Sequence, residues 1–157
     1  MSSYSAVNQP VFATGEIAKV PSVLCACRDR VERDCYVEYS GILGWDVRAT
    51  TDLGEAIGLV RGNRFDILVI AGAVQGALGM ELLEQIRNES GANQHVPAIL
   101  VADHTNILEM KAIGRRDQIN IEHIEFGKML LSSFRIIVMG LIARKMKTSV
   151  AAARRGP

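Results

Sequence analysis

At 157 residues the chain has room for one domain and little more. Its 18 basic and 17 acidic residues leave a formal net charge of +1, which argues against a protein that works by gripping phosphate backbones, and no nucleic-acid partner is expected. The composition, 48% hydrophobic but only 5% aromatic, points to an aliphatic α/β core.

The first twenty residues, MSSYSAVNQPVFATGEIAKV, show no sustained period and read as a flexible arm over residues 1–20. They lack the charged start and apolar block of a secretory signal, so a cytoplasmic location is expected. Val23–Cys27 is a short apolar run and the predicted first strand. Three cysteines, Cys25, Cys27 and Cys35, fit a reducing compartment better than a disulfide framework. Cys25 and Cys27 share one face of that strand, and Cys27, at its tip, is the thiol expected to be reactive. Asp29 stands three residues before Glu32, the spacing that satisfies free amides at a helix start, and the helix is predicted to stop near Gly41 and Gly44. Trp45–Thr50 follows as a strand. Asp52 and Glu55 repeat the capping spacing ahead of a helix ending at Gly62 and Asn63.

Asp66–Leu83 is the stretch around which the rest is organised. The branched run Ile67–Ile70 leads into a glycine-punctuated loop, Gly72–Gly79, and then into Met80, Leu83 and Ile86 at helical spacing, which is how a buried parallel strand feeding a crossover helix reads. Sites in open α/β sheets form at the carboxyl ends of the strands. Residues 71–79 offer one amide there and no charge, nucleophile or metal ligand; the loop reads as a mobile surface segment.

Val96–Ala102 is a fourth strand with its proline near the start, where a missing donor is tolerated. Asp103 to Thr105 caps a helix predicted through Ile113, and Ile119–Ile124 forms a fifth strand at a sheet edge. Lys128–Met146 is the most apolar helix. Leu130, Phe134, Ile137 and Leu141 form one stripe, yet Met129, Ile136, Met139 and Ile142 leave little of the circumference polar, so a second covered face is expected. No membrane span is expected, because Arg135 and Arg144 bracket only eight uncharged residues where spanning needs roughly 20. Residues 147–157 read as a flexible basic tail. Five strands alternating with five helices predict an α/β, doubly wound parallel sheet of order 2-1-3-4-5.

Over residues 22–144 the sequence resembles the receiver domain of bacterial two-component response regulators. The resemblance rests on Ile67–Ile70 and its loop, on Glu55-Ala56, on Arg64-Phe65-Asp66 leading into strand three, and on Val96-Pro97-Ala98-Ile99. The family's phosphoryl transfer uses an aspartate ending strand three, two acidic residues ending strand one to hold Mg²⁺, a hydroxyl ending strand four and a lysine ending strand five. The resemblance sets Ala71 at the phosphoacceptor position, Cys27 and Arg28 at the acidic pair, Ala102 at the hydroxyl, and Glu122 or His123 near the lysine. A methyl group accepts no phosphoryl group, and a cation at Arg28 opposes Mg²⁺. The implied class is a pseudo-receiver that needs no cofactor, is not an enzyme, and works as a protein-interaction module or dimer through Met129, Ile136, Met139 and Ile142.

A different reading is a small-ligand or anion sensor using the emptied pocket around Cys27, Arg28, Ala71 and Ala102, with Arg28 inverting the local charge unless Asp29 or Asp103 pairs with it. His104, Asp103, Asp29 and Cys27 share the carboxyl rim. Strands one and four lie two spacings apart, about 10 Å, too far for a nucleophile and its base.

Overall fold

The computed structural model describes residues 19–103 and 119–155, with side chains described to residue 148. Residues 1–18 of the predicted arm, His104 and the helix predicted through Ile113 lie outside the described residues.

Five parallel strands form one sheet: β1 (Ser22–Ala26), β2 (Asp46–Thr50), β3 (Ile67–Ala71), β6 (Ala98–Ala102) and β7 (Ile121–Phe126), in the order β2-β1-β3-β6-β7. Counting these five alone, this is the expected order 2-1-3-4-5. A separate two-stranded ladder pairs β4 (Ala73–Val74) with β5 (Ala77–Leu78). Four helices are described: α1 (Arg30–Leu43), α2 (Leu53–Gly62), α3 (Gly79–Asn88) and α4 (Leu131–Arg155).

Alternation along the strands sends side chains to opposite faces, and each face builds its own core. Leu24, Leu68, Ile70 and Leu100 meet Val60, Leu83 and Ile86 of α2 and α3. Val23, Cys25, Val69 and Val101 meet Tyr36 and Tyr39 of α1 and Phe134, Val138 and Leu141 of α4. Phe134 anchors the second layer, its ring 5.4 Å from Tyr36, 5.8 Å from Tyr39 and 5.5 Å from Trp45, spacings at which aromatic pairs attract.

Both predicted caps form. Asp29 accepts from the Glu32 amide at 2.8 Å, and Asp52 accepts from the Glu55 amide at 3.0 Å. Glu32 in turn reaches back to accept from the Arg28 amide at 3.0 Å. At the opposite rim, Asn93 is buried and accepts from the Phe65 amide at 2.8 Å while donating to the Val60 carbonyl at 2.7 Å.

The last two elements differ most from the sequence reading, the other strands by one or two residues at an end. The last helix begins at Leu131 and continues past Met146 to Arg155, so most of the segment read as a loose tail is helical. The last strand runs from Ile121 to Phe126, two residues later at each end than expected, and within it a register shift between Ala98 and Ile99 lets Glu122 bulge: Ala98 pairs with Ile121, but Ile99 pairs with His123.

Candidate functional site

The register places the resemblance-derived positions together. Ala26 pairs with Ile70, Ala71 with Val101 and Ala102 with Phe126, so Cys27, Ala71 and Ala102 end neighbouring strands at one edge. The ladder continues past them, with the Cys27 amide donating to the Thr50 carbonyl at 2.7 Å and the Gly72 amide to the Val101 carbonyl at 2.9 Å. The residue at the tip of the last strand, opposite Ala102, is Phe126. Glu122 and His123 lie further back along β7, which corrects their expected place: the strand runs over Ile121–Phe126, two residues later than expected, and the bulge at Glu122 adds one more to the count.

Cys27, Ala71 and Ala102 are 0–1% exposed, so this edge presents backbone and methyl groups packed under neighbouring chain. Burial pushes the Cys27 thiol well above its ordinary range, with the Glu32 carboxylate adding to the effect. The expectation of a reactive thiol at the strand tip is therefore corrected: Cys27 is protonated and shielded, with Sγ 3.5 Å from the Cys25 carbonyl oxygen. Arg28 is half-buried, and its Nη1 lies 3.7 Å from Asp103 Oδ2, so its charge faces a carboxylate. Asp29 caps α1 instead.

The glycine loop is ordered as a hairpin. Gln75 at φ 51° and Gly76 at φ 79° supply the two left-handed residues that a tight two-residue turn requires. Val74 is fully buried, and the Gln75 side-chain oxygen accepts from the Leu53 amide at 2.9 Å, satisfying a free donor in the first turn of α2. Sequence reasoning missed this role, although a Gln-Gly pair between short apolar pairs was the available signal. Gly79 closes the loop, its amide donating to the Gly72 carbonyl at 2.8 Å. A Cβ there would collide with the Ala71 carbonyl oxygen and come within 2.8 Å of Ile70 Cγ2, so helix and strand approach as only glycine permits.

On α4 the predicted surface residues divide. Met129, just before the helix, is 3% exposed, and its carbonyl accepts from the Tyr39 hydroxyl at 2.9 Å, which removes it from any docking surface. Ile142 is half-buried against the α1/α4 core because it lies beside the sheet-facing stripe of Phe134, Val138 and Leu141. Ile136 and Met139 are 68% and 46% exposed, and Leu130 and Met146, absent from the predicted surface, are 57% and 62% exposed. Among the described residues no helix is long and apolar enough to cross a membrane, and no group of three or more His, Cys, Asp or Glu is arranged to hold a metal ion.

No family model matches the sequence, and no curated protein sequence does. The fold is nevertheless shared with solved structures. A CheY-like response regulator receiver domain protein from Methanospirillum hungatei JF-1 superposes with TM-score 0.71 at 12% identity, covering 83% of this chain and 99% of that one. The receiver domain of the Francisella response regulator 1452 gives 0.65 at 21% identity, covering 80% and 98%. A chain described as adenylate cyclase from Rhodopirellula baltica gives 0.71 at 11% identity, covering 88% and 99%. At these identities the likeness establishes the fold: a five-stranded parallel receiver-type sheet.

Proposed function

We propose that this protein is a phosphorylation-independent receiver-fold module of bacterial two-component signalling, acting by binding another protein chain through the solvent face of α4. The observation that carries this reading is the apolar line Ile136, Met139 and Met146 standing in water on a helix whose other face is already occupied by the sheet. The carboxyl edge supports the same view from the opposite direction. Phosphoryl transfer to an aspartate needs a nucleophile, a metal-holding acidic pair and a charge-stabilising lysine, whereas Ala71, Cys27, Arg28, Ala102 and Phe126 occupy those strand ends. The ligand-sensor reading is weakened by the burial of Cys27, Ala71 and Ala102 and by Asp103 facing Arg28.

The test pairs two arms on the full chain. Acetyl phosphate with Mg²⁺ should leave the intact mass unchanged, and beryllofluoride with Mg²⁺ should leave the spectrum and the partner capture or solution mass as they were. Ile136→Glu with Met139→Glu, both at exposed positions, should keep the circular dichroism spectrum while removing the captured protein or lowering the light-scattering mass. Each large aliphatic group withdrawn from water contributes about 1.5–3 kcal/mol, so losing two should be decisive for a modest interface. A beryllofluoride-dependent change would overturn the independence from phosphorylation, and unchanged assembly in the double variant would move the working surface off α4.

A further inference from the structure

The exposed line on α4 has a spacing and a charge that together specify what covers it. Ile136, Met139, Ala143 and Met146 are all exposed and follow one another at intervals of three, four and three residues, the a/d spacing of a two-stranded coiled coil. The sheet does not cover this seam, whose four residues are all exposed. The opposite stripe, Phe134, Val138 and Leu141, is the one buried.

The charge is one-sided. From residue 131 to residue 155 there is no aspartate or glutamate, while Arg135, Arg144, Lys145 and Lys147 line the described part and Arg154 and Arg155 follow in the sequence. Arg144 lies 3.8 Å from Glu122 of β7, and Arg135, Lys145 and Lys147 make no ion pair among the described residues. A second copy laid along the seam, parallel or antiparallel, brings cations against cations, because the helix has no acidic residue to offer in either direction. A lipid surface suits it less, since interfacial helices present a broad face rich in Trp, Phe and Leu, and this seam is narrow with Ala143 in its middle.

We infer that the seam receives one amphipathic helix of an acidic partner protein, pairing a/d to a/d with its glutamates and aspartates against Arg135 and Lys147, which flank the seam at g and e. This rests on the proposal that α4 is the working surface, and it names the chemistry of what docks there.

Two synthetic heptad peptides test it by fluorescence anisotropy with the full chain, both with Ile at a and Leu at d, one with Glu and the other with Lys at e and g. The acidic peptide should bind one to one and weaken by about tenfold or more between about 0.01 M and 1 M salt, as the screening length shrinks from roughly 30 Å to 3 Å. The basic peptide should not bind. Met139→Glu with Met146→Glu should abolish binding, and Arg135→Glu with Lys147→Glu, both in solvent, should transfer it to the basic peptide. Equal binding of the two peptides, or none, overturns the inference. A concentration-dependent doubling of mass that the methionine substitutions remove would make the occupant a second copy, and sedimentation with phosphatidylglycerol vesicles would make it lipid. If the acidic peptide fails while Ile136→Glu with Met139→Glu still strips a captured protein, the acidic helix is wrong and the α4 surface stands.

Discussion

Ala71 shows what a single methyl group decides. It ends β3 at 1% exposure, with Gly79 closed against its carbonyl, so the space beside it is filled by backbone. Ala71→Asp would supply a nucleophile but place it among Cys27, Ala102 and Phe126, with Arg28 opposing Mg²⁺. We predict that this variant takes up no phosphoryl group from acetyl phosphate by intact mass and melts below the wild type, because a carboxyl buried without partners is penalised; Mg²⁺-dependent labelling would contradict this. Asn93 is the corresponding structural case at the other rim. Asn93→Ala orphans the buried Phe65 amide and the carbonyl of Val60, at about 1–3 kcal/mol for each group left unsatisfied. Urea unfolding should show that loss, whereas Asn93→Ala within a few tenths of wild type would mean that water replaces the amide.

Among the elements, α2 and α3 are held together at the surface by Arg61 and Glu89, whose guanidinium and carboxylate meet at 2.6 and 3.1 Å. The hydrogen bond from Arg61 lowers the Glu89 carboxyl below its ordinary value. A depressed carboxylate contributes stability above its ordinary pKa and loses it as pH falls through the folded-state value. Because both groups are in solvent the contribution is small and screened by salt. A side-chain carboxyl NMR titration should find Glu89 below the ordinary glutamate range in the wild type and returned toward it in Arg61→Ala. An unchanged titration in Arg61→Ala would assign the depression to another neighbour. The hairpin β4/β5 shows a second way in which elements are joined: Gln75 adds to the Asp52 cap by accepting from the Leu53 amide of α2, so loop and helix start order each other.

At the scale of the whole molecule, what could be read in the sequence was what has a period. Ile67–Ala71, the caps at Asp29 and Asp52 and the sheet order follow from branched runs, helix-start spacing and right-handed crossovers, each a local signal with one solution. That Cys27, Ala71 and Ala102 end neighbouring strands was legible for the same reason, since strand ends are countable. Phe126 was not, because β7 starts two residues later than its apolar run suggests and one bulged residue shifts the count again without leaving a pattern. Met129 was misplaced on the surface because its burial comes from Tyr39, 90 positions away in the chain, and the helical reach of α4 to Arg155 was hidden because residues 147–155 carry no sustained apolar period.

The chain has one tryptophan, and its ring lies 5.5 Å from Phe134 on the sheet-facing side of α4. Its emission is therefore a built-in gauge of whether that helix is seated, read without any label. A partner that binds the solvent face of a seated helix should leave the Trp45 spectrum unshifted while the complex forms. A red shift and easier quenching by iodide on binding would mean instead that the signal passes through by prising α4 off the sheet, making the helix a latch.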